Sequence, residues 1–166
     1  MDSIETYVDT DYAGCKVTRK STTGGIAKLS KHVIKGWSNT QSIVTLSSGE
    51  SEYYGLVRGS SVAIGTRSIL QDLGLKLGVV VYSDASAALG IAQRRGVGKV
   101  RHVEVHQLWL QDRVARGDIK VRKIEGKKNP ADAVTKYVDG VKLKEHCDRV
   151  DLRIWEGRHS IAPILD

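Results

Sequence analysis

Cysteine is scarce: Cys15 and Cys147 are the two thiols of a 166-residue chain. Two isolated thiols build neither a disulfide framework nor a zinc site. The chain also lacks an apolar run of about 18 residues or more, which a membrane-spanning helix needs, and it shows no secretory leader pattern. These absences lead us to expect an intracellular protein. No internal repeat and no low-complexity segment appears, so the length fits one domain able to bury a core. Acids are in deficit, with 19 aspartates and glutamates against 26 lysines and arginines and a net charge of +7. That balance suits a polyanionic partner, although a merely soluble basic domain carries similar charge.

The few acids are placed unusually. Residues 6–14, Thr-Tyr-Val-Asp-Thr-Asp-Tyr-Ala-Gly, open as a strand. With a side-chain period of two, Ile4, Thr6 and Val8 share one face while Tyr7, Asp9 and Asp11 share the other. Two acids on one face near a strand end call for something cationic there. Glu52 early in a helix, Asp84 at the end of an apolar strand and Asp132 at a helix start are acids in comparable settings. Convergence of these groups on a divalent metal is the expectation.

In chain order, Gly14–Lys20 reads as a basic loop, and Gly25–Leu29 with Val33–Ser38 reads as a hairpin closed over residues 30–32. From Ser47 to Asp72 the period becomes helical, with Tyr53, Leu56, Val57, Ala63, Ile64 and Leu70 on one stripe. Gly55, Gly59 and Gly65 each weaken that helix by roughly 1 kcal/mol, which predicts close packing on a sheet. Val79–Ser83 is a continuous apolar strand of the kind buried on both faces, and a short helix at Ala87–Gln93 follows Asp84. A basic glycine-containing loop at 94–101 precedes a helix over Val103–Arg116. A strand at Ile119–Ile124 comes next, and then a helix at Ala131–Lys136 capped by Asn129 with Pro130 in its first turn. The order β-β-β-α-β-α-α-β-α predicts an α/β fold with a mixed five-stranded sheet and helices on both faces. Residues 1–140 are expected to form the main domain, with 141–166 as a helix and tail of the same domain.

Four segments occur in an order known from elsewhere: Tyr-Val-Asp at 7–9, Leu-Ser-Ser-Gly-Glu-Ser-Glu-Tyr at 46–53, Tyr-Ser-Asp-Ala-Ser-Ala-Ala-Leu at 82–89 and Asn-Pro-Ala-Asp-Ala-Val-Thr-Lys at 129–136. With the turn at Arg19–Gly24 and the pair Trp37-Ser38, the set resembles the ribonuclease H domain of copia-type LTR retrotransposon polyproteins, over about residues 4 to 145.

The resemblance implies a ribonuclease H-like fold and hydrolysis of the RNA strand of an RNA–DNA hybrid during reverse transcription. It also implies a reverse transcriptase domain in the same polyprotein. Four carboxylates would hold two magnesium ions, with manganese as a substitute; oxygen donors suit these ions, as histidine and thiolate suit zinc. Two ions roughly 4 Å apart act on one phosphate, one at the attacking water and one at the leaving oxygen. Periodicity alone does not choose between Asp9 and Asp11, nor between Glu50 and Glu52, which lie about 200° apart around a helix. The resemblance selects Asp9 as the ligand shared by both ions, with Glu52 and Asp84 on one side and Asp132 on the other.

Other readings of the same acids stand beside this one: Asp84 as a helix N-cap, and Asp132 and Glu50 as first-turn acids serving the helix dipole. For substrate, the resemblance implies minor-groove contacts at Ser48, Gly49 and Ser86. Phosphate contacts are expected from Arg19, Lys20 and the 94–101 loop with its Arg101, each of which also reads as a solvated surface charge. The resemblance also brings His102, with Arg101, toward substrate, where a merely structural helix-surface histidine is the other reading. Cellular ribonucleases H carry a histidine in the loop before the last acid; residues 125–128 hold none, which implies slower proton handling or product release. Two alternatives complete the expectations: a weak or inactive hybrid-binding module derived from a retroelement, and an integrase-like relative using three acids.

Overall fold

The computed structural model describes residues 3–96, 98 and 105–153. Its sheet has five strands in the order β3-β2-β1-β4-β5. β1 (Ser3–Asp11), β2 (Thr22–Leu29) and β3 (His32–Thr40) form an antiparallel meander, while β4 (Gly78–Ser83) lies parallel to β1 and β5 (Lys120–Lys123) parallel to β4. The hairpin turn is the pair Ser30-Lys31, tighter than the three residues expected, with Ser30 at φ 55°. The outermost strands are the more exposed ones. β5 is four residues long, and β3 is largely open to solvent.

Helix α1 (Ser48–Asp72) starts where the sequence places it. Ser47 Oγ accepts from the Glu50 amide at 3.2 Å, and the buried Glu50 carboxylate accepts from the Leu46 amide at 2.8 Å. This reciprocal cap gives Glu50 a job beyond the helix dipole. The helix lies on the Ile4/Val8 face of the sheet. A Cβ at Gly59 would sit 2.3 Å from Val8 Cγ1, and one at Gly55 would sit 2.8 Å from Thr10 Oγ1. Gly65 differs, being exposed with nothing within 4 Å of a Cβ, so close packing explains two of the three glycines. The helix loses about 1 kcal/mol at each glycine. Full burial of Tyr53 and Leu56 against the sheet outweighs this, at roughly 1.5–3 kcal/mol for each large side chain.

α2 (Ser86–Gln93) packs on α1 and carries Ala88, Leu89, Ile91 and Ala92 into the same core as Val79, Val81 and Val121. The expected helix over 103–116 is a single 3₁₀ turn at Val105–Leu108 followed by α3 (Trp109–Ala115); residues 103 and 104 lie outside the described ones. Its buried anchor is Leu110, which the expected stripe of Val105, Leu108, Trp109 and Val114 passed over. The expected helix at 131–136 is a 3₁₀ segment, Pro130–Val134. It lies across the opposite sheet face, where a Cβ at Gly24, the cross-strand partner of Asp9, would meet Thr135 and Val134. α4 (Gly140–Arg149) packs against that segment, so both faces of the sheet carry helical structure. Among the described residues no helix is long and apolar enough to cross a membrane.

The glycine contrast is testable by urea denaturation. Gly59→Ala should destabilise by about 1–3 kcal/mol, because Val8 must move in a filled core. Gly65→Ala should leave stability unchanged or raise it by up to about 1 kcal/mol.

Candidate active site

The site forms where the two central parallel strands end. Their register pairs Tyr7 with Tyr82, and these rings stack with centroids 4.9 Å apart. Asp9 and Asp84 each follow two residues later, so the alternation that stacks the tyrosines also sets the acids side by side past the last paired residues. This is the carboxyl end of parallel strands, where the crevice of an open α/β sheet lies.

Glu52 arrives from the other side of the sheet. Gly55 touches Thr10 near the end of β1, and Glu52 is one turn further toward the helix start, about 4.5 Å along the axis. The close approach at Gly55 and Gly59 lets its carboxylate reach past the strand end. Asp9, Glu52 and Asp84 each offer an oxygen within 4.8 Å of the others.

Asp132 is nearby but stands apart from this trio. One of its oxygens forms an ion pair with Lys136, and the other lies 4.0 Å from His146 Nε2. The segment that carries it is tied to β1 at two points. The buried Asn129 donates from Nδ2 to the Val8 carbonyl at 2.8 Å and accepts from the Ala131 amide at 3.2 Å, and Thr135 Oγ1 donates to Asp9 Oδ2. Asn129 is thus the helix cap that was expected and also the link that brings Asp132 to the site. Thr135 and His146 are contacts the sequence reading missed. The threonine had a signal in its place beside Asp132; the histidine had none, since α4 brings it in from another segment.

Asp84 does not cap α2. The N-cap position is Ala85, which makes no side-chain capping bond, and the Ala85 amide is taken by Ser83 Oγ at 3.1 Å. Asp84 is instead free to face the acids, and a Cβ at Gly126 would lie 2.7 Å from its Oδ2. Gly126 belongs to the loop without histidine, so that loop abuts the site through backbone. Asp11 lies outside the trio; its carboxylate turns back to Gly14, where a Cβ would meet Oδ2 at 1.8 Å.

The electrostatics are those of crowded acids. Burial, followed by repulsion from Asp9 and Asp84, pushes the Glu52 carboxyl up to about 8. Burial also raises Asp9, although the Thr135 hydroxyl and the Lys136 ammonium work against it. Glu52 Oε2 is buried with no hydrogen-bond partner among the described residues. An unpartnered carboxylate oxygen beside two further carboxylates is a donor set that fits a hard divalent cation.

The remaining candidates lie around this centre. Ser48 and Ser86 are exposed, and a Cβ at Gly49 would lie 2.9 Å from Ala87 Cβ, so the starts of α1 and α2 adjoin. Ser86 Oγ accepts from Lys123 Nζ. Arg19 and Lys20 sit on the loop leaving β1, which the Cys15 amide closes onto the Lys20 carbonyl at 3.2 Å; Arg19 is exposed and has φ 57°. Arg101 and His102 lie outside the described residues.

Comparison with known proteins follows the same lines. No family model matches the chain. It is 34% identical over 137 residues to the retrovirus-related Pol polyprotein from transposon TNT 1-94 of Nicotiana tabacum, which covers 81% of the chain. It is 30% identical over 151 residues to the corresponding polyprotein from transposon RE1 of Arabidopsis thaliana, which covers 89%. The chain spans about a tenth of the length of these curated relatives. Among solved structures it is similar to LC11-RNase H1, isolated from compost by a metagenomic approach, with a TM-score of 0.53 and 20% identity over 81% of this chain and 93% of that one. The N-terminal RNase H domain of rv2228c from Mycobacterium tuberculosis gives a TM-score of 0.54 and 18% identity, covering 91% and 97%. At such identities the structural likeness is one of fold. Strand order, the ordered motifs and the aligned polyprotein stretch place this chain in the copia-type, retrovirus-related retrotransposon polyprotein family, as a domain with the ribonuclease H fold.

Proposed function

We propose that the domain is a divalent-metal-dependent endoribonuclease acting on the RNA strand of RNA–DNA hybrids, in the service of reverse transcription by a polyprotein that also carries a reverse transcriptase. The observation that carries this reading is the meeting of Asp9, Glu52 and Asp84, from three distant segments, within 4.8 Å at the strand ends. Asp132 is the fourth acid, held beside them by Asn129 and Thr135. Magnesium is the ion we assign, with manganese as a substitute, because all the donors are carboxylate oxygens. When bound, the metal supplies an activated water and charge stabilisation for phosphodiester hydrolysis.

The protein's own residues do the positioning. Thr135 holds the Asp9 carboxylate by its hydroxyl. The buried Glu52 carboxyl would hold the cation as its carboxylate, so metal binding would be coupled to loss of its proton. Ser48, Gly49 and Ser86, short and adjoining, suit contact with ribose 2′-hydroxyls in a minor groove. Arg19 and Lys20 suit phosphates, which position a duplex without reading its sequence.

A hybrid cleavage assay in magnesium tests the function. The RNA strand alone should be cut, and Asp84→Asn should lower the rate by at least about 100-fold, since even partners of metal ligands are worth roughly 10–100-fold. Hybrid binding without cleavage would support a binding module instead, and strand transfer on duplex DNA an integrase-like activity.

The Glu52 carboxyl gives a second test. Between its ordinary value of 4.5 and about 8, the metal-free fold holds a proton that the unfolded chain has released. Stability from this group is therefore greatest at low pH and falls as pH rises through that window. By chemical denaturation in chelator, the wild type should lose stability relative to Glu52→Gln between pH 5 and pH 8. Saturating magnesium should abolish that slope.

A further inference from the structure

Lys136 is the last residue of the Asn-Pro-Ala-Asp-Ala-Val-Thr-Lys segment, and its ammonium forms an ion pair with Asp132 Oδ1 while its side chain stays half exposed. Its neighbour Thr135 is anchored to Asp9, so the backbone holds the ammonium at the mouth of the acid site. The charge does not act on one partner alone. It interacts with Asp9 and Asp11 as well as Asp132, and it lowers the carboxyl of Glu52. An isolated surface pair contributes little, but a cation facing several crowded carboxylates offsets their mutual repulsion.

That arrangement has a consequence for metal. Asp132 has two oxygens: one is occupied by Lys136, and the other faces the buried His146 at 4.0 Å. A cation approaching this carboxylate must compete with the ammonium already there.

We propose that Lys136 is a built-in counter-ion of the acid site: it occupies Asp132 in the metal-free domain and thereby weakens and tunes the uptake of a divalent cation. The inference rests on the metal-site reading given above. By linkage, whatever Lys136 contributes to the metal-free fold is subtracted from metal affinity. The ammonium is thus a positioning group that keeps the acids folded in place until a cation replaces it.

The test uses the 166-residue chain with Lys136→Met, which keeps the length and apolar stem but removes the charge, and Lys136→Arg, which keeps the charge. Manganese binding is measured by electron paramagnetic resonance of the free ion, and thermal midpoints are measured in chelator and in saturating magnesium. The methionine variant should bind manganese roughly two- to tenfold more tightly, the scale of a partly exposed ion pair with several partners. Its midpoint should fall in chelator yet match the wild type in magnesium, and the arginine variant should behave as wild type in both. Unchanged or weaker manganese binding by the methionine variant would overturn the counter-ion role while leaving the nuclease reading intact. A wild-type chain that takes up no manganese at all would bring down the metal-site reading, and the counter-ion role with it.

Discussion

Repulsion among carboxylates is the constraint this structure is organised around. Three acids within 4.8 Å of one another, two of them raised by burial, oppose folding unless other interactions hold them together. Beside the Lys136 ammonium, the holding is done by parts that carry no charge: the parallel register of β1 and β4, the bare glycine face of α1 and the Asn129 hydrogen bond to the Val8 carbonyl. Placing the acids at strand ends and on a helix start leaves the apolar core beneath them continuous, from Ile4 and Val8 through Tyr53 and Leu56 to Val81. The core therefore supplies the free energy, and the acids draw on it at one end only.

The four carboxylates depend on three kinds of local structure. Asp9 and Asp84 owe their positions to strand alternation, Glu52 to a close helix–sheet contact, and Asp132 to a side-chain amide. Damage to the helix–sheet contact or to the Asn129 amide should move one acid and leave the others. Gly126, pressed against Asp84, shows how little room remains around the trio.

Much of the architecture was legible because its signals are local. Hydrophobic alternation marked β1 and β4, the change to a helical period marked α1, and Ser47 marked its start within one residue. The pattern could not choose Asp9 over Asp11, because both lie on one strand face; in space the Asp9 carboxylate meets Glu52 and Asp84 while that of Asp11 turns back to Gly14. Nor could it separate Glu50 from Glu52, whose difference is three-dimensional: one folds back to the Leu46 amide and the other reaches the strand ends. The two helical misreadings have a common cause. In both, 3₁₀ geometry stands where the pattern reads α-helix, at Val105–Leu108 ahead of α3 and over Pro130–Val134, and hydrophobic periodicity does not separate the two kinds of turn. His146 was illegible because nothing in its own neighbourhood reports a carboxylate 14 residues earlier, on a different element.

The bonds that tie Asn129 and Thr135 to β1 span 121 and 126 residues of chain. The β1–β2–β3 meander, by contrast, is complete by Thr40 and closes through neighbouring strands. Contacts of such long sequence separation carry the largest loop-closure entropy and slow the step that makes them. A nascent chain can therefore zip up its first sheet early, while the acid centre waits for the segment that carries Asn129 and Thr135 to leave the ribosome. A fragment ending between residues 40 and 129 would keep the three-stranded meander, with Asp9 on β1, but lose the clasp around it.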